Sequence, residues 1–139
     1  MSEALARQLL AEARTIAVLG AHPDLSRPAG YVPAYLWDQG YRIRPVNPRF
    51  VGQTLFGAPV VARLDEIDEP IDIVDVFRRA IDLPAHRDEL FGMRPLPRAL
   101  WLQQGIRHAG LCAEAAAAGL LTIEDRCTLA DHRRFGMGR

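Results

Sequence analysis

The tripeptide Asn47-Pro48-Arg49 ends an apolar run that starts at Tyr41, and its arginine stands where many nucleotide-binding folds carry an acidic residue. In those folds an Asp or Glu, about 20 residues beyond a glycine-containing loop, bonds the ribose hydroxyls. A carboxylate would repel a phosphorylated ribose, whereas the guanidinium of Arg49 would attract one. Asn47 can both donate and accept hydrogen bonds. These residue types favour a ligand whose ribose carries a phosphate.

Arginines also follow three other apolar runs: Arg27 lies in GAHPDLSRP (20–28), Arg78 in FRR (77–79) and Arg126 in DRC (125–127). All 17 basic residues are arginines, so lysine Schiff bases and a P-loop lysine are excluded. An anion site must be built from arginine, backbone N–H groups or helix N-termini. If the runs are parallel strands, their carboxyl ends meet at one edge of the sheet. We therefore expect a cationic crevice there, the alternative being that some of these arginines pair with nearby acids.

The loop at 20–28 holds a single glycine, Gly20, followed by Ala21 and His22. The other two glycines of a G-x-G-x-x-G fingerprint are not found in it, which disfavours NAD and NADP. We still expect N–H groups near Gly20–His22 and at the start of the next helix to bind a phosphate, with Ser26 and Arg27 adding a hydroxyl and a guanidinium. His22 is interpreted as structural or solvated, because no Ser-His-Asp or metal-ligand pattern accompanies it in the sequence.

These residues require a particular set of elements to bring them together. Strands are predicted at 15–20, 41–47, 71–77, 98–103 and 121–126, and helices at 3–13, 29–39, 82–91, 108–119 and from 128 onward. Near-continuous apolar strands that alternate with helices predict an α/β fold, with a doubly wound parallel sheet in three αβα layers of the Rossmann-like type. One domain is predicted over 1–139, with a short extra strand near 57–61 and helix C-caps at Gly40 and Gly119.

Composition narrows the classes of protein that remain. The formal net charge is zero and 49% of the residues are hydrophobic, which argues against nucleic acid or a membrane surface as a partner. Two cysteines far apart in the sequence make neither a disulfide framework nor a zinc pattern. No transmembrane run or secretory signal is evident, so a cytoplasmic protein is predicted.

The order of the motifs resembles one known family over Thr15 to Arg134. The segments AVLGAHPDLSRPAGYVPAYLWDQGYRIRPVNPRF, IDIVDVFRR, WLQQGI and AGLLTIEDRC are similar to those of the bacterial CoA-binding domain proteins, stand-alone relatives of the first domain of the succinyl-CoA synthetase α-subunit. The resemblance implies coenzyme A as the ligand and a set of residues around it. The residues that would face the phosphates are Gly20, Ala21, His22, Ser26 and Arg27. Those that would lie near the adenosine and its phosphorylated ribose are Val46, Asn47, Pro48 and Arg49. Those that would border the nucleotide from the third and fourth strands are Phe77, Arg78, Gln103, Gln104 and Gly105.

The function implied is binding of coenzyme A (CoA) or an acyl-CoA for sensing, storage or presentation to a partner, with no catalytic residue and no metal in the chain itself. One alternative is a subunit of an acyl-CoA ligase or transferase whose active site a protein partner completes. A second alternative is an NADP-binding Rossmann module. The synthetase's second domain, which carries a phosphorylated histidine, has no counterpart in this sequence, and His22 does not stand in its place.

Two carboxylates, one arginine and the two cysteines also invite chemical interpretations. Asp75 is expected to be buried and hydrogen-bonded, and Asp125 and Arg126 to pair with each other rather than to line the crevice. Cys112 is expected to be buried and inert. Cys127, beside Arg126 at a helix start, is either an activated thiol able to exchange with CoA disulfide or a buried packing residue.

Overall fold

The computed structural model describes residues 2–138. Strands are β1 Thr15–Leu19, β2 Arg42–Val46, β3 Thr54–Leu55, β4 Ala58–Pro59, β5 Ile73–Val76, β6 Ala99–Leu102 and β7 Leu121–Ile123. Helices are α1 Ser2–Glu12, α2 Pro28–Asp38, α3 Arg87–Phe91, α4 Ala109–Ala117 and α5 Thr128–Arg134, with 3₁₀ segments at Pro48–Phe50, Leu64–Glu66 and Ala80–His86. The predicted alternation of strands and helices is confirmed.

The main sheet has five parallel strands in the order β2-β1-β5-β6-β7. From β1 the chain passes through α2 to β2 on one side, and then returns across β1 to pair β5 on its other side. The strand order therefore reverses between β1 and β5. Ligands of open α/β sheets bind beyond the carboxyl ends of the strands at such a reversal.

Alternate residues of each strand enter two apolar layers. One layer joins strand residues such as Leu19, Val76 and Leu102 to Leu90 of α3 and Leu111 of α4. The other joins Ile16, Ile73 and Trp101 to Leu9 of α1 and Leu36 of α2, with Leu129 of α5 packed against it. The sheet is covered on both faces, which explains why its strands read as continuous apolar runs.

Two predicted elements differ in detail. The prediction of a helix over 82–91 is wrong in its first half, because residues Ala80–His86 form a 3₁₀ segment and only Arg87–Phe91 is α-helical. Pro84 lies inside that segment and cannot donate a main-chain hydrogen bond. The extra strand near 57–61 is instead a small antiparallel hairpin of β3 and β4, followed by a parallel bridge between Val61 and Val46.

Across residues 2–138, no helix has the length and apolar character needed to cross a bilayer.

Candidate functional site

The reversal point of the sheet is marked by a close contact between Gly20, after β1, and Arg78, after β5. Gly20 has a φ of +92°, and a Cβ added there would lie 3.0 Å from Arg78 Cδ and 3.3 Å from the Phe77 carbonyl oxygen. Only glycine combines this backbone conformation with such a close approach. The Arg78 side chain is thereby packed across the loop that was predicted to face phosphates.

Arg78 is also electrostatically unusual. Its Nε is buried and has no hydrogen-bond partner among the described residues, and none of the ion pairs in that part of the chain includes it. A buried donor without a partner is costly in a folded protein. The two terminal nitrogens of the same guanidinium are not among the sealed atoms without a partner, so they are the groups that an anion beside Gly20 would meet.

The other strand-end arginines fall into two groups. Arg27 contacts Asp24, Arg79 contacts Asp82 and Arg126 contacts Asp131, at 3.5, 3.0 and 2.7 Å. Pairing with nearby acids, the alternative left open by the sequence, therefore holds for these three. Among residues 2–138, Arg49 has no carboxylate partner, and its guanidinium carbon lies 5.2 Å from the Phe50 ring centre.

The loop after β1 is held by its own backbone and by Asp24. The Gly20 N–H donates to the Val46 carbonyl at 2.8 Å, and the His22 N–H donates to the Ala29 carbonyl at 3.1 Å. Of the three N–H groups predicted for a phosphate, two are thus committed within the protein. Asp24 accepts from both the backbone N–H and the hydroxyl of Ser26 at 2.9 and 2.7 Å, and these bonds hold its carboxyl pKa below the ordinary value.

His22 lies where the two basic segments approach each other. Its Nδ1 accepts the Asp24 N–H at 3.0 Å, and its ring meets the Phe50 ring edge-on at 4.7 Å between centroids. Its pKa is lowered by desolvation first, and then by the positive charges of Arg27 and Arg49, against the opposing effect of Asp24. The imidazole is therefore a neutral packing group between the two loops, in agreement with its structural interpretation.

Gly30 is a residue of this loop that the sequence analysis did not identify. A Cβ at this position of α2 would lie 2.1 Å from the Asp24 carbonyl oxygen and 3.1 Å from that of His22. Gly30 thus allows the loop to fold back onto the helix, because any side chain at this position would collide with the loop carbonyls. The signal was available as a glycine inside a predicted helix.

The segment after β2 is bracketed by Asn47, which is buried. Its Nδ2 donates to the Ala21 carbonyl at 3.0 Å and its Oδ1 accepts the Arg49 N–H at 3.0 Å. Asn47 therefore ties the β1 loop to the 3₁₀ turn that starts at Pro48 and presents Arg49. Val46 and Ala21 are fully buried, so their side chains pack in the core beneath these two loops and do not face a ligand.

A separate crevice of about 350 Å³ opens between the start of α2 and the start of α5. Its walls are Pro28, Ala29, Tyr31, Val32, Phe77, Gln103, Gln104, Ile106 and Cys127. The volume is within the range of small-molecule sites. The structure thus brings Phe77, Gln103 and Gln104 to one cavity, as the sequence placed them on neighbouring strand ends, and it adds Cys127 to the same wall.

Gly105 follows these glutamines with a φ of +85°. Its N–H donates to Asp125 Oδ1 at 2.7 Å, and the other oxygen of Asp125 accepts from Arg107 at 2.8 Å. The prediction that Asp125 pairs with Arg126 is wrong. β7 ends at Ile123, and in the turn that follows Asp125 pairs with Arg107 whereas Arg126 pairs with Asp131.

Behind the crevice lies a buried polar cluster. Thr128 Oγ1 is 3.0 Å from Asp75 Oδ2 and 2.9 Å from Gln103 Oε1, and the Thr128 N–H donates to Gln103 Oε1 at 3.0 Å. Burial raises the pKa of Asp75 well above its ordinary value, opposed only by the bond from Thr128. Asp75 is thus the buried, hydrogen-bonded residue predicted from the sequence. Asp72, outside β5, accepts the Arg14 and Thr15 N–H groups instead and cannot join it in an acid-base pair.

The two cysteines differ in access. Cys112 is buried, and desolvation with the nearby Glu124 raises its pKa to about 11, as expected for an inert thiol. Cys127 is half-buried in the crevice wall. Its exchange with CoA disulfide stays a prediction.

The sheet is doubly wound and parallel, with arginine-containing loops after β1 and β2 and a crevice at the carboxyl ends of β5 and β6. These features define an α/β protein of the Rossmann-like class. Comparison with known proteins narrows this class. The chain belongs to the CoA binding domain family, whose model matches residues 14–133, which confirms the family indicated by the sequence motifs.

Relatives match this chain over most of its length. YneT of Bacillus subtilis strain 168 is 34% identical over 131 residues, which are 94% of each chain. A solved Thermus thermophilus structure, described as cell-free ID.343, is 49% identical with a TM-score of 0.90, covering 96% of this chain and 98% of that one. A hypothetical protein from Pyrococcus horikoshii OT3 is 25% identical with a TM-score of 0.86, covering 96% and 92%.

Proposed function

We propose that this protein binds coenzyme A across the carboxyl ends of β1, β2, β5 and β6. Family membership supports CoA as the ligand, and the observation that carries the proposal is Arg78. This arginine is packed on Gly20 at the reversal point, and its buried Nε has no acceptor among the described residues. An anionic group such as the CoA pyrophosphate fits beside this side chain, because it would pair with the accessible guanidinium nitrogens of Arg78 and neutralise their charge.

Arg49 is proposed to bind the 3′-phosphate of the CoA ribose. It has no carboxylate partner within residues 2–138, and Asn47 holds its backbone next to the Gly20 loop. Asn47 and Val46 would then act by positioning Arg49 and Pro48. Ser26 and Arg27 would contribute at the entrance to the loop, where both lie exposed and already share Asp24.

The pantetheine arm of CoA is proposed to enter the crevice formed by Phe77, Gln103 and Gln104, which lies next to Arg78 along the strand ends. The crevice is mostly apolar, with Val32 and Ile106 in its walls. That composition fits a flexible arm with isolated amide groups. The proposed binding unit is the single domain predicted over 1–139, since both apolar layers share one sheet.

The proposed role is binding without turnover, for sensing, storage or presentation of CoA to a protein partner. Two side chains near the sheet edge that could act as a base, His22 and Asp75, are engaged within the protein. His22 Nδ1 accepts a backbone N–H, and Asp75 is fully buried, with a hydrogen bond to Thr128 and a pKa that burial raises. Neither group is free to activate water or a thioester.

The test is a binding series on purified protein with CoA, dephospho-CoA, NAD, NADP and ATP, followed by calorimetry and thermal shift. CoA should bind best, and dephospho-CoA should lose about 1.5–3 kcal/mol, the scale of a charged hydrogen bond. In Arg49→Ala this difference between CoA and dephospho-CoA should disappear, because the two ligands differ only in the phosphate. Equal binding of both ligands by the wild-type protein would refute the role of Arg49, and tighter binding of NADP than of CoA would refute the proposed ligand.

A further inference from the structure

The buried cluster of Asp75, Thr128 and Gln103 constrains how Gln103 faces the crevice. A backbone N–H can only donate, so the Gln103 side-chain atom 3.0 Å from the Thr128 N–H must be the amide oxygen. The Thr128 hydroxyl lies 2.9 Å from the same oxygen. Two donors on one oxygen hold the amide in a single orientation.

The Thr128 hydroxyl also ties Gln103 to the central strand. It lies 3.0 Å from Asp75 Oδ2 and 2.9 Å from the Gln103 amide oxygen, and it is the donor to both. Asp75 is fully buried, and its other oxygen has no partner among the described residues. The buried cluster therefore holds Thr128, and with it the Gln103 amide, in place behind the crevice wall.

The other end of the Gln103 amide is its NH₂ group. Since the oxygen points to α5, Nε2 points away from it, and Gln103 lines the crevice. Within residues 2–138 no acceptor bonds Nε2, and Nε2 is not one of the sealed polar atoms without a partner. The crevice therefore has a fixed hydrogen-bond donor in a wall that also contains Phe77, Val32 and Ile106.

We propose that Gln103 is a specificity-determining residue whose NH₂ group donates to a carbonyl oxygen of the ligand arm, with Thr128 as its positioning residue. This inference rests on the proposed CoA binding. The acceptor is a carbonyl in an otherwise apolar stretch, which occurs in the pantetheine amides and in the thioester of an acyl-CoA. A charged group is not favoured, because the residues between 2 and 138 that line the crevice include no cationic side chain.

The experiment compares ligands with and without the arm. Adenosine 3′,5′-bisphosphate has the phosphorylated nucleotide of CoA but no pantetheine. Gln103→Met keeps the length of the side chain and removes the donor, and Gln8→Met makes the same change on an exposed face of α1. We expect Gln103→Met to bind CoA about two- to tenfold more weakly, the range of one neutral hydrogen bond. Its affinity for the bisphosphate, and both affinities of Gln8→Met, should stay within about twofold of wild type.

Acetyl-CoA separates the two sources of the carbonyl. An equal loss for CoA and acetyl-CoA identifies an amide of the arm, and a loss for acetyl-CoA alone identifies the thioester. Equal weakening of CoA and the bisphosphate, or no weakening of either CoA or acetyl-CoA, would overturn the role of Gln103. Failure of wild-type protein to bind CoA and the bisphosphate would instead refute the proposed function.

Two further measurements test the orientation itself. Thr128→Val should weaken CoA and not the bisphosphate, and Thr128→Ser should restore CoA binding because it keeps the hydroxyl. In wild-type protein, the side-chain NH₂ resonances of Gln103 should shift on addition of CoA and stay in place with the bisphosphate. This NMR comparison needs no variant, and unchanged Gln103 resonances at saturating CoA and acetyl-CoA would overturn the proposal even if Gln103→Met failed to fold.

Discussion

Arg78 and Arg79 are adjacent arginines with opposite surroundings, and replacing each with methionine tests the proposed anion site. Arg78 crosses Gly20, and its buried Nε has no hydrogen-bond partner within residues 2–138. Arg79 is 80% exposed and bonds Asp82 at 3.0 Å. Methionine keeps most of the aliphatic stem and removes the charge in both cases, so the two variants change the net charge equally.

The structure sets different magnitudes for the two changes. Loss of a charged hydrogen bond to a phosphate costs about 1.5–3 kcal/mol, which corresponds to a CoA dissociation constant about 10- to 150-fold higher for Arg78→Met. Exposed ion pairs contribute about 0–1 kcal/mol and distant charges are screened, so Arg79→Met should weaken CoA by less than about fivefold. Removing the unsatisfied Arg78 donor should also leave the ligand-free protein as stable as wild type, or more stable by about 1 kcal/mol, roughly 3 °C for a chain of this length.

Calorimetric titration with CoA at one fixed salt concentration, together with thermal unfolding without ligand, measures both quantities. For Arg78→Met we expect the affinity for CoA to fall while the stability of the ligand-free protein does not. Equal weakening by Arg78→Met and Arg79→Met would show that only overall positive charge matters. A lower melting temperature for ligand-free Arg78→Met would show that the arginine is part of the fold rather than of a binding site.

Three other predictions concern titratable groups. Burial raises the pKa of Asp75, so the folded protein retains a proton that the unfolded chain releases above the ordinary pKa of 3.8. The stability of Asp75→Asn relative to wild type, measured by thermal unfolding, should therefore rise from pH 4 to pH 8. A difference that does not change with pH would show that Asp75 is ionised in the fold. Desolvation lowers the pKa of His132 from 6.5, so the stability of the wild-type protein should fall as the pH drops below 6.5. Between pH 7.5 and pH 5 the urea midpoint of His132→Gln should fall less than that of wild type. An equal fall in both proteins would show that another group causes the pH dependence. CoA should slow the alkylation of Cys127, which lines the crevice, while Cys112 should stay unmodified with or without ligand. Mass spectrometry measures both rates. Equally fast labelling of Cys127 with and without saturating CoA would mean that the ligand arm does not occupy this cavity.

Much of the architecture follows from local patterns in the sequence. Runs such as TIAVLG, and IDIVDVF apart from its two aspartates, are nearly continuous in apolar residues, a pattern typical of strands that are covered on both faces. Gly40 and Gly119 were expected at helix ends, and they have φ values of +102° and +96°, because a left-handed residue is the common way to end a helix. The order of strands and helices then leaves few topologies. The strand-end residues were for this reason assigned correctly to one edge of the sheet.

Partners separated in sequence were decided only by the tertiary structure. Among the strand-end arginines, the sequence could not distinguish Arg78 from Arg126, because the difference is the presence of Asp131 at 2.7 Å from one and a glycine loop beneath the other. Gly30 reads as an ordinary helical glycine until the carbonyl of Asp24 is placed against it.

The Asp75–Thr128–Gln103 cluster joins residues 53 and 25 positions apart. Its hydrogen bonds depend on distances of about 3 Å, and those are set by how α5 packs on the sheet. Periodicity and turn residues are properties of neighbouring residues, so the sequence by itself determined most of the elements and the edge of the sheet at which the site is proposed. Charge pairing and amide orientation are properties of atoms brought together from different elements, so only the folded structure decided which residues at that edge remain available to a ligand.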